Sequence, residues 1–288
     1  MIVSVYVTYN PNVPLLEKAI DSLLSQVDCT IIVDNSPQSD LFFENEKVTV
    51  VTLNDNIGIA AAQNVGIGKA IEMGAEYIVL SDQDTIYPAG YVVSMLPVFE
   101  QFPKACVSVP KFVDAMKNGK DGFIAIKPVF FQQFFPGSDK HEIFQAIASG
   151  KVLKTSALNV IGLMNEELFI DWVDIEWCWR ARAKGYQIIG NANVVIQHQL
   201  GDSSKDLGFR EVNLRSPIRH YYITRNAFYL ALYSRDLDLG HRINLFIKSF
   251  RYIVGYPILS KPHSKNLKAV LIGFWHGITK KLGKYELK

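Results

Sequence analysis

Tyr77-Ile-Val-Leu-Ser-Asp82-Gln83-Asp84-Thr85 is the stretch around which this chain is read. Its apolar run, Tyr77 to Leu80, reads as a buried strand and ends on two carboxylates one residue apart. Aspartates at that spacing on a strand end suit a hard cation, which takes oxygen ligands. Such a cation could neutralise a diphosphate. The competing reading is a turn, with Asp84 or Thr85 starting a helix near Pro88. The sequence on either side separates the two.

Upstream, Ile2–Thr8 is apolar and β-branched and reads as a buried strand stopped by Tyr9-Asn10-Pro11. Pro14 opens a helical run in which Leu15, Leu16, Ala19, Ile20, Leu23 and Leu24 keep helical spacing. Strands are expected at Thr30–Val33, ahead of Asp34-Asn35-Ser36-Pro37, and at Lys47–Leu53, ahead of Asn54-Asp-Asn56-Ile-Gly58. A helix then runs to about Gly74. The order is β-α-β-β-α-β, with polar residues after several strands. It predicts an α/β protein with a mainly parallel central sheet flanked by helices. Ligands of such sheets bind outside the carboxyl ends of the strands. One crevice should therefore gather Asn10, Asp34, Asn35, Asn56 and the 82–84 pair.

Downstream, a helix is expected over about 89–102 and a strand over Cys106–Val109. Residues 112–145 read as a hairpin-like insertion or an irregular segment. Ser149-Gly150 is a turn, and Lys154–Ile161 a short helix before Gly162. Asp171 to Arg180 opens a helix ending at Gly185, its early acids favoured by the helix dipole. Tyr186–Ile189 and Val194–Ile196 read as short strands, followed by a loop with His198. Helices are expected near 217–234, 240–254 and 265–281.

The 288 residues suffice for one large domain, alone or with an appendage. Half are hydrophobic and a fifth charged, which excludes a disordered chain. Cys29, Cys106 and Cys178 lie far apart without metal-ligand spacing, as expected of reduced thiols in a cytosolic protein. The chain enters a strand pattern at once, so no signal peptide is expected, and no apolar run is long enough to span a membrane. Charge is uneven. Residues 239–288 hold ten Lys or Arg and one acid, Glu286, so the remainder is mildly acidic.

These pieces together resemble the family 2 inverting glycosyltransferases of GT-A fold, and within them a bacterial rhamnosyltransferase branch. The resemblance runs from residue 2 to about 230. It is carried by Thr8-Tyr9-Asn10, Val33-Asp34-Asn35-Ser36, Asn56-Ile-Gly58-Ile-Ala60 with Asn64-Val-Gly66, and Ser81-Asp82-Gln83-Asp84. It continues in Ala148-Ser149-Gly150, Phe169-Ile-Asp-Trp-Val-Asp174-Ile-Glu176-Trp-Cys-Trp-Arg180, and His198 with Gly201 and Ser203. Ser216-Pro217-Ile-Arg219-His-Tyr221-Tyr-Ile-Thr-Arg225-Asn226 completes it.

The resemblance implies a GT-A catalytic domain over 1–215, its nucleotide-sugar half about 1–110 and its acceptor half about 111–215. A basic, aromatic helical extension follows over 216–288. It implies transfer of a sugar with inversion from a nucleotide-sugar donor, in this branch L-rhamnose from dTDP-β-L-rhamnose. The leaving diphosphate needs positive charge, the acceptor hydroxyl a base, and the donor a fixed orientation. Asp84 would ligate Mg²⁺ or Mn²⁺, with Asp82 beside the ribose or sharing the metal, and His198 completing the site. The alternatives are a helix cap for Asp84 and a backbone-bonded loop histidine for His198. Asp174 is the candidate base, although Val173 stands where the family pattern has a first acid. Glu176 is a secondary candidate that could instead pair with Arg180 four residues on.

Thr8, Asn10, Asp34, Asn35, Asn56, Gly58 and Asn64 would form the donor pocket, or serve only as strand-end turns and helix-start packing. Arg225 would reach the diphosphate, or pair on the surface. Asp171, Trp172 and Ser149 would touch the acceptor. In the tail, aromatic and aliphatic residues alternate with lysines, as in Leu271-Ile-Gly-Phe274-Trp275-His-Gly-Ile278-Thr-Lys280-Lys281, a composition that lies in membrane interfaces and would meet a polyprenyl-diphosphate-linked acceptor at the inner face of the plasma membrane. The alternative is a solvated face on packed helices. No nucleic-acid motif accompanies the charge. Two other functions fit in outline: a sugar-phosphate nucleotidyltransferase, and a silent nucleotide-sugar binding protein at the membrane.

Overall fold

The computed structural model describes residues 1–113, 122–197, 204–206, 211–213 and 215–286. The first half builds as the sequence pattern predicts. Strands β1 (Ile2–Thr8), β2 (Cys29–Asp34), β3 (Val48–Thr52) and β4 (Tyr77–Asp82) alternate with helices α1 (Val13–Leu24) and α2 (Ile59–Glu72). Asn12 caps α1 by accepting from the Leu15 amide, and Pro14 sits in the first turn, where its missing N–H is harmless. The helix expected over 89–102 is two short ones, α3 (Tyr91–Met95) and α4 (Pro97–Gln101). They break at Pro97, which has no N–H to carry the ladder on.

Next come β5 (Ala105–Val113), the antiparallel pair β6 (Phe123–Ala125) and β7 (Gln132–Phe134), β8 (Lys140–Ile143), β9 (Val152–Lys154), α5 (Thr155–Ile161), α6 (Val173–Ala183) and β10 (Gln187–Gln197). β10 is one strand where the sequence suggests two, because it continues through a register shift between Asn191 and Val195. β9 escapes the sequence pattern altogether: three residues are too few to show a period. Helices α7 (Pro217–Tyr233), α8 (Leu239–Leu259) and α9 (His263–Ile278) close the chain.

Eight strands form the main sheet, ordered β3-β2-β1-β4-β9-β5-β10-β8. β3, β2, β1 and β4 run parallel, as do β5 and β10, whereas β9 and β8 are antiparallel to their neighbours. One face buries Leu16, Ile20 and Leu23 of α1 with Met95 and Phe99. The other buries Ala60, Ala62 and Ile67 of α2 with Trp177 and Trp179 of α6. The sheet is thus covered on both sides, which leaves its carboxyl edge as the place for chemistry.

Candidate active site

Strand register assembles the first half of the site. Thr8 lies opposite Asp34 on β2, and Val7 opposite Asp82 on β4. Neighbouring strands are about 4.8 Å apart, so Asp34 and Asp82 flank β1 at roughly 10 Å. Asp34 is buried and held from several sides. Its Oδ1 accepts from Thr8 Oγ1 (3.0 Å), the Ser36 amide (3.1 Å) and Ser36 Oγ (2.6 Å), and Ser39 Oγ donates to Oδ2. The Asn10 amide donates to Ser36 Oγ at 2.8 Å. A cleft of about 440 Å³ opens here, lined by Asn10, Asp34, Ser36, Ser39 and Phe42 among others. Beside it, Asn35 Nδ2 donates to Asn56 Oδ1 (3.1 Å), which also accepts from the Gly58 amide.

The acidic turn is anchored by its neighbours. Gln83 Oε1 accepts from the Tyr9 amide at 2.8 Å, and Thr85 Oγ1 lies 2.7 Å from Ser149 Oγ. Asp82 and Asp84 are half-buried. They are hard oxygen donors on a strand end, a donor type that fits Mg²⁺ or Mn²⁺. Among the described residues no group of three His, Cys, Asp or Glu side chains closes around a metal position. His198, the expected third ligand, lies outside the described residues.

Asp174 sits in the first turn of α6, its side chain 22% exposed. The fully buried Lys151 donates from Nζ to Asp174 Oδ1 at 2.7 Å and stands 5.5 Å from the centre of the Trp177 ring. The Lys151 carbonyl accepts from the Leu80 amide at 3.0 Å, two residues before Asp82. Lys151 therefore links β4, at Leu80, to Asp174. Sequence reasoning misses Lys151. The signal available is a lysine standing directly before Val152-Leu153 and after Ser149-Gly150, where a buried strand starts.

Several predicted site residues are committed elsewhere. Glu176 is buried and gives both oxygens to Arg180, at 2.9 Å each, so the helical pairing is what it does and the secondary catalytic reading is dropped. Asn64 accepts from the Met164 amide (2.8 Å) and donates to the Met164 carbonyl and Glu166, tying α2 to that turn and not to a donor. Ser149 is buried against Thr85, so it presents no hydroxyl to an acceptor. Arg225 is fully buried and donates to Asn226 Oδ1 and to the carbonyls of Gly283, Glu167 and Leu168. That closes it off from a diphosphate. Cys178 is buried, and burial pushes its thiol up to about 11, which argues against a thiolate nucleophile.

The loop feeding Asp174 into place is strained. Phe169, Asp171 and Trp172 have φ of 63°, 63° and 68°, a region that bulky residues rarely occupy. Such residues cost on the order of 1–3 kcal/mol each and persist only where surroundings over-determine them. Here α7 does so. Asn226 Nδ2 reaches the carbonyls of Leu168, Ile170 and Asp171 at 2.9–3.0 Å. Arg219 grips Asp171 with two bonds of 2.8 and 2.7 Å, and Trp172 Nε1 donates to the Ile223 carbonyl. Asp171 and Trp172 are thus fastened to α7, Asp171 through its carboxylate. From the other side Gly58, at φ 89°, lies so close that a Cβ would come within 2.6 Å of the Phe169 ring. Its close approach serves this loop.

The family described as Glycosyl transferase family 2 matches residues 4–162. The dTDP-rhamnosyl transferase RfbF of Shigella flexneri is 33% identical over 235 residues, covering 80% of this chain and 79% of that protein. S. aureus TarS 1–349, solved in complex with UDP-GlcNAc, superposes with a TM-score of 0.61 at 15% identity, covering 97% of this chain and 82% of that one. GalNAc-T7, solved with UDP, GalNAc and Mn²⁺, gives a TM-score of 0.61 at 12% identity over 95% of this chain. This chain spans only 55% of its length. At such identities the two structures speak for the fold alone.

Proposed function

The chain belongs to glycosyl transferase family 2, and we propose that it moves L-rhamnose from dTDP-β-L-rhamnose, with inversion, to a lipid-linked or growing saccharide in bacterial surface polysaccharide synthesis. That it is a glycosyltransferase follows from the family. The donor reading is supported by its similarity to the Shigella protein. The reading of the chemistry is carried by one observation: Asp174, partly open to solvent, is tied by Lys151 to Leu80 on β4, the strand that leads into Asp82 and Asp84.

In this reading the nucleotide base enters the cleft at Asn10 and Asp34, where Thr8 and Ser36 hold the Asp34 carboxylate fixed. Asn35, Asn56 and the turn at Gly58 frame the donor. Asp174 takes the proton from the acceptor hydroxyl as its oxygen bonds to the anomeric carbon. The bond from that carbon to the diphosphate oxygen breaks, and the nucleoside diphosphate leaves with the bonding pair. Attack from the side opposite the leaving group inverts the centre. Asp82 and Asp84 would hold a divalent cation, with His198 as third ligand, and when bound it neutralises charge on the leaving group. Lys151 fixes the Asp174 carboxylate through Oδ1 and leaves Oδ2 to face the acceptor.

The deciding experiment is a donor screen across nucleotide sugars that reads released nucleoside diphosphate, with Mg²⁺, with Mn²⁺ and with chelator. Release of dTDP from dTDP-rhamnose that chelation abolishes is expected. Turnover only with another sugar nucleotide would overturn the donor, and full activity in chelator the metal. Pyrophosphate release from a nucleoside triphosphate and a sugar phosphate would make the protein a nucleotidyltransferase.

A further inference from the structure

Helices α7, α8 and α9 pack tightly on one another, yet two of them leave an apolar face uncovered. Along α8 the exposed residues Leu239, Ile243, Ile247, Phe250, Val254 and Ile258 recur at three- and four-residue steps, so they line one stripe. Along α9, Leu267, Leu271 and Trp275 do the same. Ile247, Val254 and Ile258 are 64, 61 and 65% exposed, and Trp275 58%. The opposite faces are spoken for: Leu245, Ser249 and Tyr256 of α8 and Asn266, Ala269, Val270, Gly273 and Gly277 of α9 are buried. Gly273 and Gly277 seat α9 directly on α7, where a Cβ would come within 2.6 Å of the Tyr221 carbonyl oxygen and 2.5 Å of that of Arg225. The stripes are therefore the outer faces of helices whose inner faces are already packed.

Exposed apolar stripes on two helices that pack on each other mark a contact surface. Its occupant is identified by charge. Ten Lys or Arg and one acid fall within residues 239–288. Arg251 and Lys265, both exposed, stand on the same two helices. A second copy of this chain would set Arg251 and Lys265 against like charge. An anionic surface with an apolar layer beneath satisfies both features. No helix among the described residues is long and apolar enough to cross a membrane.

We propose that the outer face of the α8–α9 hairpin lies in the interface of an anionic lipid bilayer, with Ile247, Val254, Ile258 and Trp275 entering the apolar layer and Arg251 and Lys265 meeting lipid phosphates. The inference stands without the donor or the base. That the same surface presents a lipid-linked acceptor does rest on the glycosyl-transfer reading.

The test is flotation of the full-length protein on phosphatidylcholine vesicles with and without phosphatidylglycerol, alongside tryptophan fluorescence. Trp172, Trp177 and Trp179 are buried or half-buried, so a blue shift on adding vesicles reports Trp275. The protein should float with phosphatidylglycerol vesicles and shift blue. Trp275→Phe should lose the shift. I247E/V254E/I258E should partition at least about tenfold less. R251E/K265E, which leaves the apolar face intact, should lose about tenfold as well. Protein that stays soluble with anionic vesicles overturns the proposal. So does equal flotation of both variants with wild type. A concentration-dependent dimer that I247E/V254E/I258E dissolves, without flotation, assigns the face to a second copy. Neither variant touches the site, so dTDP release reads the glycosyl-transfer reading separately.

Discussion

Lys151 and Asp174 form a contact of 2.7 Å in which the lysine is wholly buried and the aspartate reaches solvent. A buried ammonium needs its counter-charge, and the carboxylate gains a fixed orientation in return. Lys151→Met should therefore lower kcat about 10- to 100-fold with the donor KM little changed. It should also cost roughly 1–2 kcal/mol of stability. Lys151→Arg should recover part of the rate. Steady-state kinetics with a thermal melt checks all of this.

Asp174→Asn should keep donor binding, read by calorimetry, while transfer falls by about 10²–10⁴. Glu176→Gln is the control two residues away. Because Glu176 serves Arg180, its variant should lose about 1 kcal/mol of stability and keep most of its rate. Equal losses of rate in both would remove the distinction between base and helix brace.

Asn226→Ala strips the strained loop of the amide that reaches three of its carbonyls. A loss of about 2 kcal/mol in stability is expected. With the loop relaxed Asp174 drifts, so kcat should fall more than donor affinity. Gly58→Ala attacks the same loop from the far side, through both its φ of 89° and the Phe169 ring. It should be the more damaging of the two, read by melting temperature and by transfer.

The tail should loosen in acid. His220 is buried, its Nδ1 lies 2.7 Å from Asn266 Oδ1, and its Nε2 accepts from the Arg215 amide at 3.1 Å. Asn266 Nδ2 donates to the Ser260 and Pro262 carbonyls, which fixes its oxygen as the acceptor for Nδ1–H. The ring is thus held neutral, stacked 3.8 Å from Tyr256. Burial pushes its proton affinity below the usual histidine range, against the pull of Asn266 and Asp171, while Arg215 and Arg219 push the same way as burial. The unfolded chain then binds the proton that the folded one refuses. Stability is full above the ordinary histidine pKa and falls as pH drops through it. Melting at pH 7.5 and 5.5 should show a gap that His220→Gln narrows.

The strand-end acids and the parallel half of the sheet were legible because they rest on local period and on where strands stop. Ile2–Thr8 and Tyr77–Asp82 needed no partner to be recognised. Lys151 was not legible, since its meaning comes from residues 71 and 23 positions away, Leu80 and Asp174. Arg225 and Asn226 were visible as part of a pattern, but their task depends on carbonyls of Glu167 to Asp171 that only the folded chain brings to them. Composition flagged the tail as basic and aromatic. Only the packing of Gly273 and Gly277 shows which side of it faces out.

Helix α7 carries the grips on the base loop along one side and the glycine seat of α9 along another. A division at residue 216, natural by composition, would sever Arg219 from the Asp171 carboxylate and Arg225 and Asn226 from the carbonyls they hold. The α8–α9 hairpin is for that reason not an interchangeable cassette. A chimera exchanging it between relatives must keep α7 with the catalytic half, join in the turn between Tyr233 and Leu239, and carry over small residues at positions 273 and 277. The loop before Asp174 and the C-terminal hairpin are inherited together here, through the two sides of one helix.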